Sequence, residues 1–89
     1  MLLKSRLDVR IAEVIREQVN DARAVANTAS ADWRAQCETA EVAMLADPDR
    51  HIFLSHIAER RGNAAATQLA ESAKQMRTSA IFFLARKPS

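Results

Sequence analysis

Histidine and cysteine are the residue types in this chain best suited to bind a metal or take part in catalysis. The two histidines, His51 and His56, lie five residues apart, which places their side chains about 140° apart around an α-helix. Zinc ligands that share one helix face are commonly four residues apart, and no second cysteine accompanies Cys37 to complete a ligand set. We therefore expect no metal site, with His51 at the surface and His56 partly buried or at an interface.

Cys37 is also a weak candidate for a nucleophile. The carboxylates of Glu38 and Glu41 lie nearby, and negative charge is unfavourable for a reactive thiolate. Cys37 shares a helix face with Trp33, so we predict that it is a small buried apolar residue. Because the chain holds one glycine, it has no glycine-rich phosphate loop. The sequence predicts a protein that is not an enzyme and needs no cofactor.

Charge and hydropathy give little direction about partners. Thirteen basic and eleven acidic residues leave a net charge of +2, which is a weak footprint for nucleic acid. A single cysteine excludes an intramolecular disulfide and favours a reducing compartment. The first residues, 1–6, enter a charged pattern without the apolar stretch of a signal peptide, and no segment has the length of a membrane span. We expect a cytoplasmic protein without membrane contact.

The segment 47–63 contains the clearest helix boundaries in the chain. Asp47 reads as an N-cap and Pro48 as the first helical residue. At the other end, two arginines precede Gly62, the only glycine, and Asn63 can cap a further helix. These features predict a helix over residues 48–61.

The rest of the chain has helical periodicity, with apolar residues three and four positions apart. We predict an all-α fold of three or four helices, covering about residues 4–27, 31–46, 48–61 and 64–86 in one small bundle. The sequence leaves open whether residues 4–46 form one helix or two, and slightly favours a break near 27–31. Pro88 marks the predicted end of order.

Alanine-rich helices bury little area per residue, so a single copy would have a thin core. The last helix carries an apolar seam at the coiled-coil period over residues 66–83, with Ile81, Phe82 and Leu84 as further large apolar side chains off this seam. We therefore predict a homodimer. The candidate residues for the dimer or partner interface are Ile11, Val14, Leu69, Met76, Ile81, Phe82, Phe83 and Leu84.

The polar face of the last helix supports an alternative in which the protein contacts nucleic acid. Its candidate residues are Gln68, Lys74, Gln75 and Arg77. This face is poorly basic for a recognition helix, so nucleic-acid binding is not the favoured prediction.

Three motifs lie within residues 33–73: Trp33-Arg34-x-x-Cys37-Glu38, Arg50-x-x-Phe53-Leu54, and Arg60-Arg61-Gly62-x-Ala64-Ala65. In these motifs this part of the chain resembles a recurrent helical module in small, uncharacterised bacteriophage and prophage proteins. The module often has an arginine shortly after the Cys-Glu pair, where this chain has Thr39-Ala40-Glu41. The resemblance implies a phage or mobile-element origin and a compact helical fold, and it carries no assigned chemistry.

These observations lead to one main functional hypothesis. The protein is expected to be a non-enzymatic interaction protein of a phage or mobile element, which binds a host or phage macromolecule through exposed helix faces. Inhibition of host defence, as by anti-CRISPR proteins, fits this size and composition. The alternatives are a small dimeric DNA-binding regulator and a structural component of phage assembly.

Overall fold

The computed structural model describes residues 6–86, and this part of the chain consists of four α-helices without a strand. In chain order they are α1 (Arg6–Arg23), α2 (Ala31–Ala43), α3 (Asp47–Arg61) and α4 (Asn63–Arg86). The predicted all-α fold is confirmed, with four helices. The predicted end of order at Pro88 lies outside the described residues.

The first half of the chain forms two helices, because a polar turn separates α1 from α2. The side chain of Asn27 accepts a hydrogen bond from the backbone N–H of Ala29 at 3.1 Å. Ser30 then caps α2 by accepting a hydrogen bond from the backbone N–H of Trp33, also at 3.1 Å. Such bonds satisfy backbone donors that an uninterrupted helix would pair internally. The alternative of one helix over residues 4–46 is therefore wrong.

Helix α3 ends at the predicted residue, Arg61, but begins one residue earlier than predicted, at Asp47. Its N-cap is Ala46, which makes no side-chain cap bond, and Asp47 is already helical. The predicted capping role of Asp47 is wrong because its carboxylate pairs with Arg50 instead. At the other end Gly62 has φ 95° and ψ 163°, a conformation that suits glycine, and α4 begins at the next residue.

Helix α4 is the centre of the bundle, since it contacts all three other helices and does so more extensively than α2, which also touches all three. The core between them uses small and β-branched side chains; the largest that are fully enclosed are Ile11, Ile15 and Val42. Three alanines, Ala43, Ala73 and Ala80, have no exposed surface, so the helices approach closely at these positions. The core of the described residues is thin, as the alanine content predicts. None of the described helices is long and apolar enough to cross a membrane.

Candidate functional site

The C-terminal end of α2 is the place where the helices bring charged groups together. The last turn of α2 has no basic residue of its own, although the partial negative charge at a helix C-terminus favours a cation there. Two arginines from other helices supply it. Nη1 of Arg50 donates a hydrogen bond to the carbonyl oxygen of Leu45 at 2.7 Å, and Nη1 of Arg77 donates to that of Ala43 at 2.9 Å.

Both arginines also face a carboxylate. Nη2 of Arg77 donates to Oδ1 of Asp8 at 2.8 Å, and Nη2 of Arg50 bonds Oδ1 of Asp47. The arginine side chains are only 15% and 19% exposed, respectively. Because Asp8 lies on α1, Ala43 on α2 and Arg77 on α4, the bonds of Arg77 connect these three helices. Arg50 on α3 bonds the linker between α2 and α3 at Leu45.

The two guanidinium groups are close enough to influence each other. Burial lowers the pKa of Arg50, and the positive charge of Arg77 lowers it further, while Asp8 acts in the opposite direction. Two like charges at one place need compensation by carbonyls and carboxylates. The arrangement is therefore held by its counter-charges, because Asp8 and Asp47 balance the charges of the two arginines.

An open cavity of about 330 Å³ lies beside these arginines, between α3 and α4. We call it the basic cavity; its lining residues are Arg50, Leu54, Ala70, Lys74, Arg77, Thr78 and Ile81. Lys74 is exposed and makes no hydrogen bond or ion pair within residues 6–86. The basic cavity thus combines two fixed guanidinium groups, one uncommitted ammonium group, a hydroxyl group and an apolar wall.

A second charged contact joins α2 to the end of α3. Arg61 donates hydrogen bonds from both terminal nitrogens to the carboxylate of Glu38, one of them at 3.0 Å. The hydrogen bonds from Arg61 lower the pKa of Glu38, against the opposing effect of burial, and the charge of Arg61 adds to the lowering. The same pairing raises the pKa of Arg61. Both side chains keep substantial solvent exposure, so this ion pair is a structural clamp of modest strength.

Large apolar side chains are exposed near the end of α4. Ile81 is 41%, Phe82 60% and Phe83 44% exposed, and we call these three residues the α4 apolar surface. Ile81 also lines the basic cavity. Phe82 and Phe83 line an open cavity of about 310 Å³ together with residues of α1 and α4, namely Gln18, Ser79 and Arg86. The α4 apolar surface therefore continues from the groove along α1 to the basic cavity.

The predicted interface residues divide into two groups. Ile11, Val14 and Leu69 are buried in the chain's own core, where their apolar side chains hold the helices together and are not available to a partner. Met76 and Leu84 are partly buried and pack against that core. The remaining three candidates form the α4 apolar surface.

The predicted nucleic-acid contacts also divide. Gln68, Lys74 and Gln75 are exposed on α4. Arg77 is mostly enclosed and is engaged with Asp8 and Ala43, so two of its nitrogens are already bonded within the protein. The structure brings Lys74 and Arg77 to the basic cavity, whereas Gln68 lines a different cavity, beside the Glu38–Arg61 pair.

The two histidines and the cysteine lie at exposed or partly exposed positions. His51 and His56 are both exposed. Partial burial of His56 is wrong, because Ile57 supplies the buried contact of that turn, and the place of His56 at an interface stays a prediction. Cys37 is only partly buried, since it borders an open cleft with Arg16, Arg23 and Glu41. Among residues 6–86, no group of three metal-ligating side chains is close enough to hold a metal ion.

Sequence reasoning did not assign a role to Arg50, Asp8 or Thr78. Asp8 and Arg77 are 69 positions apart, and no local pattern predicts their meeting. One feature of the sequence indicated such a contact. Helix α2 has no base in its last turn, so a cation that interacts with the carbonyl groups at this C-terminus must come from another part of the chain.

Together, the fold and these sites define a small all-α protein in which two arginines and a lysine border one cavity and aromatic side chains are exposed beside it. A protein-family model described as a family of unknown function (DUF7696) matches residues 26–80, more than half of the 89 residues, and the chain belongs to this family. No curated protein and no solved structure matches the chain. The matched region contains Arg50, Lys74 and Arg77, and it ends immediately before the α4 apolar surface.

Proposed function

We propose that this protein is a non-enzymatic interaction protein that binds a partner protein through the α4 apolar surface. The observation that carries the proposal is the exposure of three consecutive large apolar side chains, Ile81, Phe82 and Phe83, on a protein whose own core is thin. Grouped exposed apolar side chains are typical of binding surfaces, and aromatic residues often dominate the binding energy.

Charge around this surface indicates the chemistry of the partner. From Ser72 to Arg86, α4 contains three bases and no acid. Lys74 borders the surface on the side of the basic cavity, and Arg86 borders it on the side of α1. A partner with an apolar patch flanked by acidic side chains would complement both features.

The proposal is tested by comparing binding by the unchanged protein with binding by Phe82→Ser and Phe83→Ser. Each protein is incubated with lysate of the source cells, and recovered proteins are quantified by mass spectrometry. We expect a partner that the unchanged protein recovers at least tenfold better than either variant. In binding measurements with purified proteins, the partner should then bind the unchanged protein more tightly than it binds Phe82→Ser or Phe83→Ser.

Ile52→Ser provides the matched control, because Ile52 is 56% exposed on α3 and lies outside the α4 apolar surface. It should retain partner binding. Recovery of the same proteins at the same levels by all four proteins would refute the proposed surface, provided that circular dichroism shows all of them folded.

The alternative function is a small dimeric DNA-binding regulator. Exposed Gln68, Lys74 and Gln75 favour it, whereas the low net charge of +2 weighs against it. It predicts duplex binding that weakens steeply with salt and is reduced by Lys74→Gln. Fluorescence anisotropy with a mixed-sequence duplex tests this, and no binding at 50 mM salt would eliminate the alternative.

A phage or mobile-element origin and a cytoplasmic location remain predictions of the sequence, and they guide the choice of lysate. Inhibition of host defence, as by an anti-CRISPR protein, is the specific activity that we propose to test first if the recovered partner belongs to a defence system. Higher-order assemblies with a phage protein would instead favour a structural role.

A further inference from the structure

We propose that the basic cavity is a binding site for a small molecule bearing a phosphate monoester. The phosphate would be held by the cationic groups at the junction of α3 and α4, and its organic part would lie against the apolar wall of the cavity. This inference goes beyond the proposed protein-binding function and does not depend on it.

The charge of the cavity favours an anion. Arg50, Lys74 and Arg77 all line it, while the carboxylates paired with the arginines, Asp8 and Asp47, compensate two of these three charges. The ammonium group of Lys74 makes no ion pair within residues 6–86, although Glu71 lies three residues before it on α4. An oxyanion in the cavity would neutralise the charge of Lys74 and reduce the repulsion between the guanidinium groups.

The donors of the cavity are fixed before a ligand arrives. A guanidinium group has five N–H donors, and each arginine uses its two terminal nitrogens to bond one backbone carbonyl and one carboxylate. These bonds hold both planes in place and leave further N–H groups on each arginine for an anion. Thr78 adds a hydroxyl group that can donate a hydrogen bond. A prearranged donor set loses little side-chain entropy on binding.

The number and placement of donors favour phosphate over carboxylate. A phosphate monoester carries about two negative charges and three terminal acceptor oxygens, which suits donors arriving from two helices. A carboxylate has two oxygens and one charge. Leu54, Ala70 and Ile81 form an apolar wall, and the volume of about 330 Å³ is at the small end of the range for ligand pockets. The ligand is thus a small phosphomonoester with an apolar group.

The experiment is an NMR titration of the ¹⁵N-labelled protein with phenyl phosphate, inorganic phosphate and benzoate. Backbone amides of residues 74–78 and the side-chain Nε–H of Arg50 and Arg77 should shift and saturate with phenyl phosphate. Inorganic phosphate should bind more weakly because it lacks the apolar group, and benzoate more weakly because it has fewer oxygens and less charge. Lys74→Gln should lower the affinity for phenyl phosphate about tenfold, as expected for the loss of one charge-assisted hydrogen bond.

Arg60→Gln is the matched control, since it removes the same charge from an exposed position outside the cavity. It should leave the affinity for phenyl phosphate unchanged. Equal weakening by both variants, or shifts that are spread over surface bases and never saturate, would overturn the site.

A final arm separates a small phosphate ligand from the phosphate backbone of nucleic acid. A mixed-sequence DNA duplex is added to the complex with phenyl phosphate. If the duplex neither binds nor displaces phenyl phosphate, the small-molecule proposal stands. If the duplex binds through the same residues and more tightly than phenyl phosphate, the proposal is wrong and the cavity belongs to the DNA-binding alternative.

Discussion

Arg50 and Arg77 each combine a structural task with exposure to a cavity. Their terminal nitrogens satisfy carbonyl groups at the end of α2 and pair with carboxylates, and buried charges require such partners. Their pairing explains why two guanidinium groups can lie at one site. Lys74 makes none of these hydrogen bonds. The packing of the helices therefore does not explain why a lysine lies beside the two arginines.

The clamp between Glu38 and Arg61 makes a prediction about pH. The pKa of Glu38 is lower in the folded protein than its ordinary value, so the folded state binds this proton less readily than the unfolded state does. The stabilisation is therefore present above the ordinary carboxylate range and is lost as the pH falls through the lowered pKa. Glu38→Gln should be less stable than the unchanged protein at pH 7, and the difference should shrink toward pH 3.

Urea denaturation at a series of pH values measures this difference. Glu41→Gln is the control, because Glu41 is exposed on the same helix and pairs with no described base. Its effect should vary less with pH. A stability difference for Glu38→Gln that stays constant from pH 7 to pH 3 would contradict the assigned role of the carboxylate.

At the scale of the helices, sequence signals located the elements well but did not determine their neighbours. Apolar periodicity predicted helices at all four places, and Gly62 marked the end of α3 as expected. The break between α1 and α2 was harder to predict because it depends on Ser30 and Asn27 without glycine or proline. The packing of α4 against all three helices is a non-local result, and it decided which apolar candidates became core.

At the candidate site as well, local features could be predicted from the sequence, whereas contacts between helices could not. Exposure of the apolar residues 81–83 agrees with the excess of large apolar side chains at the end of α4. The basic cavity was not predicted as a unit, since Arg50 and Lys74 lie on different helices and meet only after α3 folds back onto α4. Arg77 was recognised as a base, but its partner Asp8 is too distant in sequence for any local pattern to connect them.

Gly62 gives a prediction about the turn between α3 and α4. Its φ of 95° with ψ 163° lies in a region that is essentially restricted to glycine. A methyl group at its Cβ position would meet no atom within 4 Å, so the cost of Gly62→Ala is conformational and not steric. We expect Gly62→Ala to lower the free energy of unfolding by about 1–3 kcal/mol.

Chemical synthesis of the chain with D-alanine at position 62 supplies the control. D-alanine favours positive φ, so this protein should be at least as stable as the one with glycine. Urea denaturation measures the free energy of unfolding of the proteins with glycine, L-alanine and D-alanine at position 62. Equal destabilisation by L- and D-alanine would show that the backbone conformation at residue 62 is not the cause.

At the scale of the whole molecule, the core encloses many small side chains, while several large apolar ones lie outside it. Its fully enclosed residues include several alanines, while Phe82 and Phe83 remain substantially exposed. Leu7 and Val9 on α1 are exposed as well, at 53% and 41%. Asp8, between them in sequence, bonds Arg77, whereas Phe82 and Phe83 lie beside Gln18, further along α1.

This distribution leads to the prediction that the protein without its partner is a homodimer. A stable interface buries about 800 Å² on each copy, more than Ile81, Phe82 and Phe83 can expose, so the contact must extend to residues beside them, such as Gln18 on α1 and Arg86. Light scattering coupled to size exclusion should give the mass of two chains at micromolar concentration. Phe82→Ser and Phe83→Ser should shift the protein to a monomer, whereas Ile52→Ser should not. The partner protein would occupy the same surface and should therefore convert the homodimer into a complex of one chain with one partner.

A monomer for the unchanged protein up to about 100 μM, a concentration at which even an interface of modest affinity would be populated, would exclude the homodimer and leave the surface to the partner alone.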